Sequence, residues 1–146
     1  MYKHVLVPTE GSELSLAAIQ QAAKFARTLG ASITLLNVQP EYAAPVLGDS
    51  YVAPLRKNFE AESVRAANAI LDVAAAEIDR AGMGCKRRVV SGSKPWEVII
   101  KTAADEGCDL VFMASHGRRG LAGLLIGSET HKVLTQCKIP VLVYRG

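Results

Sequence analysis

Aromatic residues make up only 5% of this 146-residue chain, and cysteine is scarcer still, with Cys85, Cys108 and Cys137 far apart. No CxxC occurs, no zinc-like spacing is present, and an odd count excludes a full intramolecular disulfide set. The three thiols are read as reduced and mostly buried, as expected of a cytoplasmic protein. No apolar run approaches the roughly 20 residues of a membrane span. The run after Lys3 is too short for a secretory leader. Neither a membrane nor a secreted location is expected. Charge of one sign is also lacking: the formal net charge is +3. The densest basic clusters, Lys86-Arg87-Arg88 and Arg118-Arg119, form no stripe of the kind that tracks a nucleic acid, so no nucleic-acid partner is expected. Repeats, low-complexity stretches and linkers are missing too, which argues for one domain over residues 1–146. A chain of this length buries about 70% of its unfolded surface and needs no disulfide or metal to stay folded.

What is present is a rhythm. The composition is 49% hydrophobic and rich in alanine, suited to helices packed closely on a sheet. His4-Val5-Leu6-Val7 reads as a buried strand ending at Pro8-Thr9. Ser12 then caps a helix with Leu14, Ala18, Ala22, Phe25 and Leu29 inward, closed by Gly30. Ile33 to Val38 reads as the second strand. Pro40, Pro45, Gly48 and Pro54 rule out a continuous helix, and residues 39–53 read as a long, rather apolar loop of functional length. A helix is predicted from Leu55 to Ala81, with Phe59, Ala66, Ile70, Val73 and Ile78 inward. Lys86 to Val90 is the third strand. A helix opening at Pro95 runs to Gly107, with proline in a first turn that has no use for its missing N–H. Leu110 to Ala114 is the fourth strand, a helix begins at Gly127-Ser128, and Val141 to Tyr144 is the fifth strand. Alternating strands and helices predict an α/β domain: a five-stranded parallel sheet, doubly wound in the order 3-2-1-4-5, with helices on both faces. Such sheets bind ligands where the winding reverses, outside the carboxyl ends of the strands. In this order the loops after Val7 and Ala114 face each other there.

The second of those loops carries the most distinctive chemistry. Ala114-Ser115-His116-Gly117-Arg118-Arg119-Gly120 leads through one further glycine, Gly123, to Gly127-Ser128. Glycines let backbone N–H groups approach an anion without an intervening Cβ. The helix start at Gly127 adds free amides and a positive dipole end. Ser128 adds a hydroxyl, and the two arginines add charge. The pattern is neither a Walker A loop nor GxGxxG. His116 has no visible catalytic partner in sequence and is read as a structural donor. His4 and His131 are read as surface or cap residues, Trp96 as packing.

These residues resemble the universal stress protein family. Its nucleotide-binding members carry glycine, two residues, glycine, nine residues, then glycine and serine or threonine. Gly117 and Gly127-Ser128 match that spacing, with Ala114 in place of the first glycine. Val5-Leu6-Val7-Pro8-Thr9-Glu10-Gly11-Ser12 resembles the family's first strand and turn, and Lys138-Ile139-Pro140-Val141-Leu142-Val143 its last strand. The resemblance implies that Pro8, Thr9 and Glu10 contact adenosine and that the backbone of Val38 recognises adenine. It implies that Ala114 through Gly120 line ribose and phosphates, and that Gly127, Ser128, Glu129 and Thr130 hold the phosphate tail. Glu10 stands where the family usually has aspartate. The ligand expected is ATP, ADP or AMP, with Mg²⁺ or Mn²⁺ accompanying a triphosphate and leaning on phosphates and water, since no protein metal site is visible. The last strand is an edge without protecting charges, and the family commonly dimerises there, so a homodimer through Val141–Tyr144 is expected.

The leading reading is a stress-response binding or signalling module, with no catalytic residue assigned. Two alternatives stay open. One is a slow ATP hydrolase or phosphotransferase, for which Glu10 and Glu129 are the acidic candidates. The other is a nucleotide-free dimer that docks partners, with the loop at residues 40–52 as a surface rather than a lid.

Overall fold

The computed structural model describes residues 1–43, 49–117 and 126–146. Strand β1 (His4–Pro8) is followed by α1 (Glu13–Leu29), β2 (Ser32–Gln39), α2 (Asp49–Arg80), β3 (Lys86–Ser91), α3 (Pro95–Asp105), β4 (Leu110–Ala114), α4 (Ser128–Gln136) and β5 (Val141–Tyr144). The sheet order is β3-β2-β1-β4-β5 and every pairing is parallel, as the alternation predicts.

The period-two alternation of the strands divides the core in two. Val5, Val7, Ile33, Leu35, Leu110 and Phe112 face α1 and α2. Leu6, Leu36, Val111 and Met113 face α3 and α4. Both faces of the central strands are therefore dry, which is why those strands read as continuous apolar runs. Helix α1 begins where expected: the Ser12 hydroxyl accepts from the Ser15 amide at 3.2 Å. It ends at Gly30, whose φ of 67° gives the left-handed cap that glycine adopts without a Cβ penalty.

Two expectations need correction at α2. The helix starts at Asp49 rather than Leu55 and carries Pro54 inside it. Proline there removes one backbone bond and is tolerated close to the helix start, one turn beyond the amides that lack intrahelical partners anyway. The expected loop is correspondingly shorter, and its residues 44–48 lie outside the described residues. The inward face is also set differently. Ala67, Leu71, Ala74, Ala75 and Ile78 are buried, whereas Ala66 is exposed and Val73 is 53% exposed. Alanines, not the larger Val73, form the contact because the helix lies close to the sheet. At 1.5 Å per residue this 32-residue helix is about 48 Å long. None of its residues from Ala53 to Ala66 is buried, so its first half overhangs the carboxyl edge of the sheet.

Ion pairs and backbone clamps finish the frame. The Lys86-Arg87-Arg88 cluster is paired: Lys86 Nζ lies 2.6 Å from Glu106 Oε2, Arg88 also meets Glu106, and Arg87 meets Asp72 at 2.5 Å. The Asp109 carboxylate accepts from the amides of Lys3 at 2.9 Å and His4 at 3.0 Å, tying the start of β1 to β4. His4 is not a surface residue: its Nε2 lies 2.7 Å from the buried Thr34 hydroxyl. Trp96 packs against the α3/α4 core as expected, and Cys108 is buried while Cys85 and Cys137 are half-buried.

Candidate functional site

The winding reverses between β1 and β4, and their carboxyl ends open onto the same crevice. On the β1 side Pro8 ends the strand and Thr9 continues its pairing, donating its amide to Leu36 O at 2.9 Å. The Thr9 hydroxyl is spent locally, 2.8 Å from Ser15 Oγ and accepting from the Gly11 amide at 3.1 Å. Glu10 Oε1 accepts from the Ser12 amide at 3.3 Å, so this carboxylate lies at the positive start of α1.

On the β4 side, Ala114 and Ser115 are buried. Ser115 donates its amide to Tyr144 O at 2.8 Å, and its hydroxyl lies 3.1 Å from His116 Nδ1. That contact ties the His116 ring to the residue before it. Gly117 comes close to the opposite loop: a Cβ there would lie 3.3 Å from Glu10 Cδ and 3.4 Å from Glu10 Oε2. Residues separated by more than a hundred positions are thereby in contact at the crevice. Arg118, Arg119 and Gly120 lie outside the described residues.

The chain returns at Gly127, whose amide donates to Ser115 O at 2.6 Å. A Cβ on Gly127 would come within 3.1 Å of His116 Cβ and 3.2 Å of its Cα. Gly127, not Ser128, is the N-cap of α4, and Ser128 is the exposed first helical residue. The amides of the helix's first turn have no intrahelical acceptor, which together with the helix dipole suits this end to an anion. Thr130 turns its hydroxyl inward, donating to Ala114 O at 2.9 Å. Glu129 points sideways: its Oε2 accepts from the Trp96 amide at 2.9 Å and so caps α3. From these two residues only the backbone remains for a ligand at the helix start.

Val38 stands one strand away from the crevice on the β2 side, half-buried and in register with Val90. Its neighbour Asn37 was not singled out in the sequence. Asn37 is 1% exposed, its Nδ2 donates to Thr9 O at 2.9 Å, and its Oδ1 accepts from Gln39 Nε2 at 2.6 Å. The available signal was a carboxamide within the apolar run Leu35-Leu36-Asn37-Val38. A separate cavity of about 560 Å³ lies on the α2 side of the sheet, between Tyr42, Phe59, Val64 and Val89. It does not include Glu10 or Gly117. Among the described residues no group of three or more His, Cys, Asp or Glu side chains is placed to hold a metal ion, and no helix is long and apolar enough to cross a membrane.

The sequence profile of the universal stress protein family matches residues 1–145. The chain belongs to the universal stress protein family. Universal stress protein MJ0577 of Methanocaldococcus jannaschii is 32% identical over an alignment covering 99% of this chain and 96% of that protein. Universal stress protein YxiE of Bacillus subtilis is 25% identical, with 99% and 100% covered. The solved structure of MJ0577 matches with a TM-score of 0.85 at 30% identity, covering 100% of this chain and 97% of that one. A universal stress protein crystallised in complex with cAMP matches with a TM-score of 0.72 at 27% identity, with 98% and 97% covered. The five-stranded order and its two helical layers are thus the fold of universal stress proteins, and the β1–β4 crevice is where their shared topology places the switch point.

Proposed function

We propose that this universal stress protein holds an adenine nucleotide in the crevice between the β1 turn and the β4 loop, and that it works as a stress-response binding or signalling module. The contact of Glu10 with Gly117, in front of the first turn of α4, carries this reading. It makes a cradle at the switch point that added Cβ atoms would narrow. A related protein crystallised with cAMP supports the ligand class. In this arrangement Pro8, Thr9 and Glu10 face the adenosine, and the backbone of Val38 reads the base. Ala114 through Gly120 flank ribose and phosphates, and the amides of Gly127 to Thr130 meet the phosphate tail. The ligand is ATP, ADP or AMP. A magnesium or manganese ion bound with a triphosphate takes its ligands from phosphate and water. The protein pairs with a second copy along the edge of β5.

Slow hydrolysis has less support. Its two acidic candidates each already accept from a backbone amide, Glu129 from Trp96 and Glu10 from Ser12, so neither is held ready solely to orient water.

The test is to purify the protein without added nucleotide, denature it and identify any released small molecule by mass spectrometry. A double variant, Gly117→Val with Ser128→Ala, is treated in parallel. Release of ATP, ADP or AMP from the native protein alone supports the reading. If nothing is released, and added ATP leaves the melting temperature unchanged, there is no ligand linkage and the nucleotide-free docking dimer is the better account.

A further inference from the structure

The proposed site is built from two strands that are neighbours in the sheet but end at different heights. β2 runs to Gln39, whereas β1 stops at Pro8, paired with Leu36. Past Pro8 the β1 chain must bend toward the crevice, and backbone pairing no longer fixes its course. One further main-chain bond, from the Thr9 amide to Leu36 O, extends the ladder. The carbonyl on the other side of Thr9 then has no strand partner of that kind. The carboxamide of Asn37 supplies one, at 2.9 Å from Thr9 O. That carbonyl belongs to the peptide linking Thr9 to Glu10, so the bond acts directly on the residue that meets Gly117.

We propose that Asn37 is a positioning residue of the nucleotide site, fixing the Thr9–Glu10 peptide against the end of β2 and so setting the distance between the adenosine-facing turn and the backbone of Val38. The inference rests on the nucleotide reading for its ligand, but not for its geometry. Three observations carry it. Asn37 is 1% exposed, so its amide cannot be satisfied by bulk water. It uses both ends: Nδ2 donates to Thr9 O, while Oδ1 accepts from Gln39 Nε2 at 2.6 Å. It is also adjacent in sequence to Val38, so one residue's placement serves both halves of the site. Only a carboxamide offers a donor and an acceptor together at this length. Aspartate offers acceptors alone and would set a carboxylate against a carbonyl oxygen; leucine fills the volume but leaves Thr9 O without its donor.

The test compares the wild type with Asn37→Leu, Asn37→Asp and a control, Ile78→Val, which trims the α2 core far from the crevice. Two readouts are taken: affinity for AMP and ATP by titration calorimetry, and amide hydrogen exchange by NMR at Thr9, Gly11 and Ser12. Both Asn37 variants are expected to weaken nucleotide binding about tenfold and to speed exchange at the three turn amides by a similar factor. Ile78→Val is expected to lower the melting temperature while leaving affinity and turn exchange unchanged. Unchanged affinity and unchanged turn exchange in a folded Asn37→Leu protein overturn the proposal. So do losses that Ile78→Val reproduces. If the wild type binds neither nucleotide, the nucleotide reading fails by itself, and the exchange data still decide whether Asn37 holds the turn. If Asn37→Leu does not fold, Asn37→Asp, which keeps size and polarity, carries the same comparison.

Discussion

Gly117 and Gly127 stand at matched spacing in the sequence, yet the structure gives them different reasons for being glycine. Neither is among the glycines with positive φ, so available space decides the cost of a side chain. At Gly117 a Cβ would press on Glu10 Cδ at 3.3 Å, the far end of a flexible side chain. At Gly127 it would press on His116 Cα at 3.2 Å and Ser115 O at 3.3 Å, which are backbone. A side chain can turn aside; a strand exit held by its own hydrogen bonds cannot do so cheaply. We expect Gly127→Ala to cost about 1–3 kcal/mol of stability in urea unfolding, the usual range for overpacking, and Gly117→Ala less than about 1 kcal/mol. Equal costs would mean that Glu10 is as fixed as the backbone. The sequence marks both glycines through spacing alone, because a loop-to-helix anion site has a characteristic pattern. It does not mark Asn37 or the inward turn of Thr130, because a buried amide or hydroxyl looks like any other until its partner is known. Glu129 has a contact that its place in the motif does not reveal: its side chain accepts from the Trp96 amide at the start of α3.

Elements were legible wherever one period dominated. The five strands and the caps at Ser12 and Gly30 follow from apolar runs and glycine chemistry. Helix α2 was harder to read, since alanine contributes little hydrophobic contrast, and its contact face was displaced toward larger side chains that the structure exposes. The pairing of β3 with the end of α3 was also invisible, because it joins residues twenty or so apart through charge. Glu106, at the C-cap of α3, has a side chain only 6% exposed and meets both Lys86 and Arg88. The hydrogen bond from Lys86 is the main reason its carboxyl is held below the ordinary value of 4.5; burial opposes this, and the charges of Lys86 and Arg88 reinforce it. A depressed folded-state pKa contributes stability above the unfolded value that is lost as pH falls through the folded one. Asp109 titrates in the same direction. Burial alone would raise its pKa, but the amides of His4 and Lys3 outweigh that and lower it. Comparison with Glu106→Gln separates the two. Urea unfolding should show the wild type more stable than the variant at pH 7, with the gap closing as pH falls below 4.5. A gap that persists unchanged in acid would mean that the ion pairs contribute nothing through ionisation.

At the scale of the whole molecule the two sheet edges differ. β3 carries three basic residues, each ion-paired, which discourages a second sheet from docking there. β5 is apolar and half-buried along its length, with no charged residue in the strand. The sequence predicted the unprotected edge at β5, because strand order alone decides which strand lies outermost. What it could not supply is which backbone groups of β5 face outward. Val111 donates its amide to Pro140 O and Ser115 donates to Tyr144 O. Pro140 therefore turns its carbonyl, and residues 142 and 144 their carbonyls and amides, toward β4, and residues 141 and 143 turn theirs away, since a strand's polar groups alternate sides. Proline at 143 removes an outward amide and leaves the β4 ladder intact, a setting that an edge strand tolerates. If β5 pairs with its copy across a two-fold axis, Val143→Pro should remain folded, with a melting temperature only slightly lowered, while sedimentation velocity at micromolar concentration shifts from dimer to monomer. A wild type that sediments as monomer removes the dimer altogether. A Val143→Pro protein that stays dimeric moves the interface off this edge, and the overhanging first half of α2 becomes the next surface to examine, because none of its residues from Ala53 to Ala66 is buried.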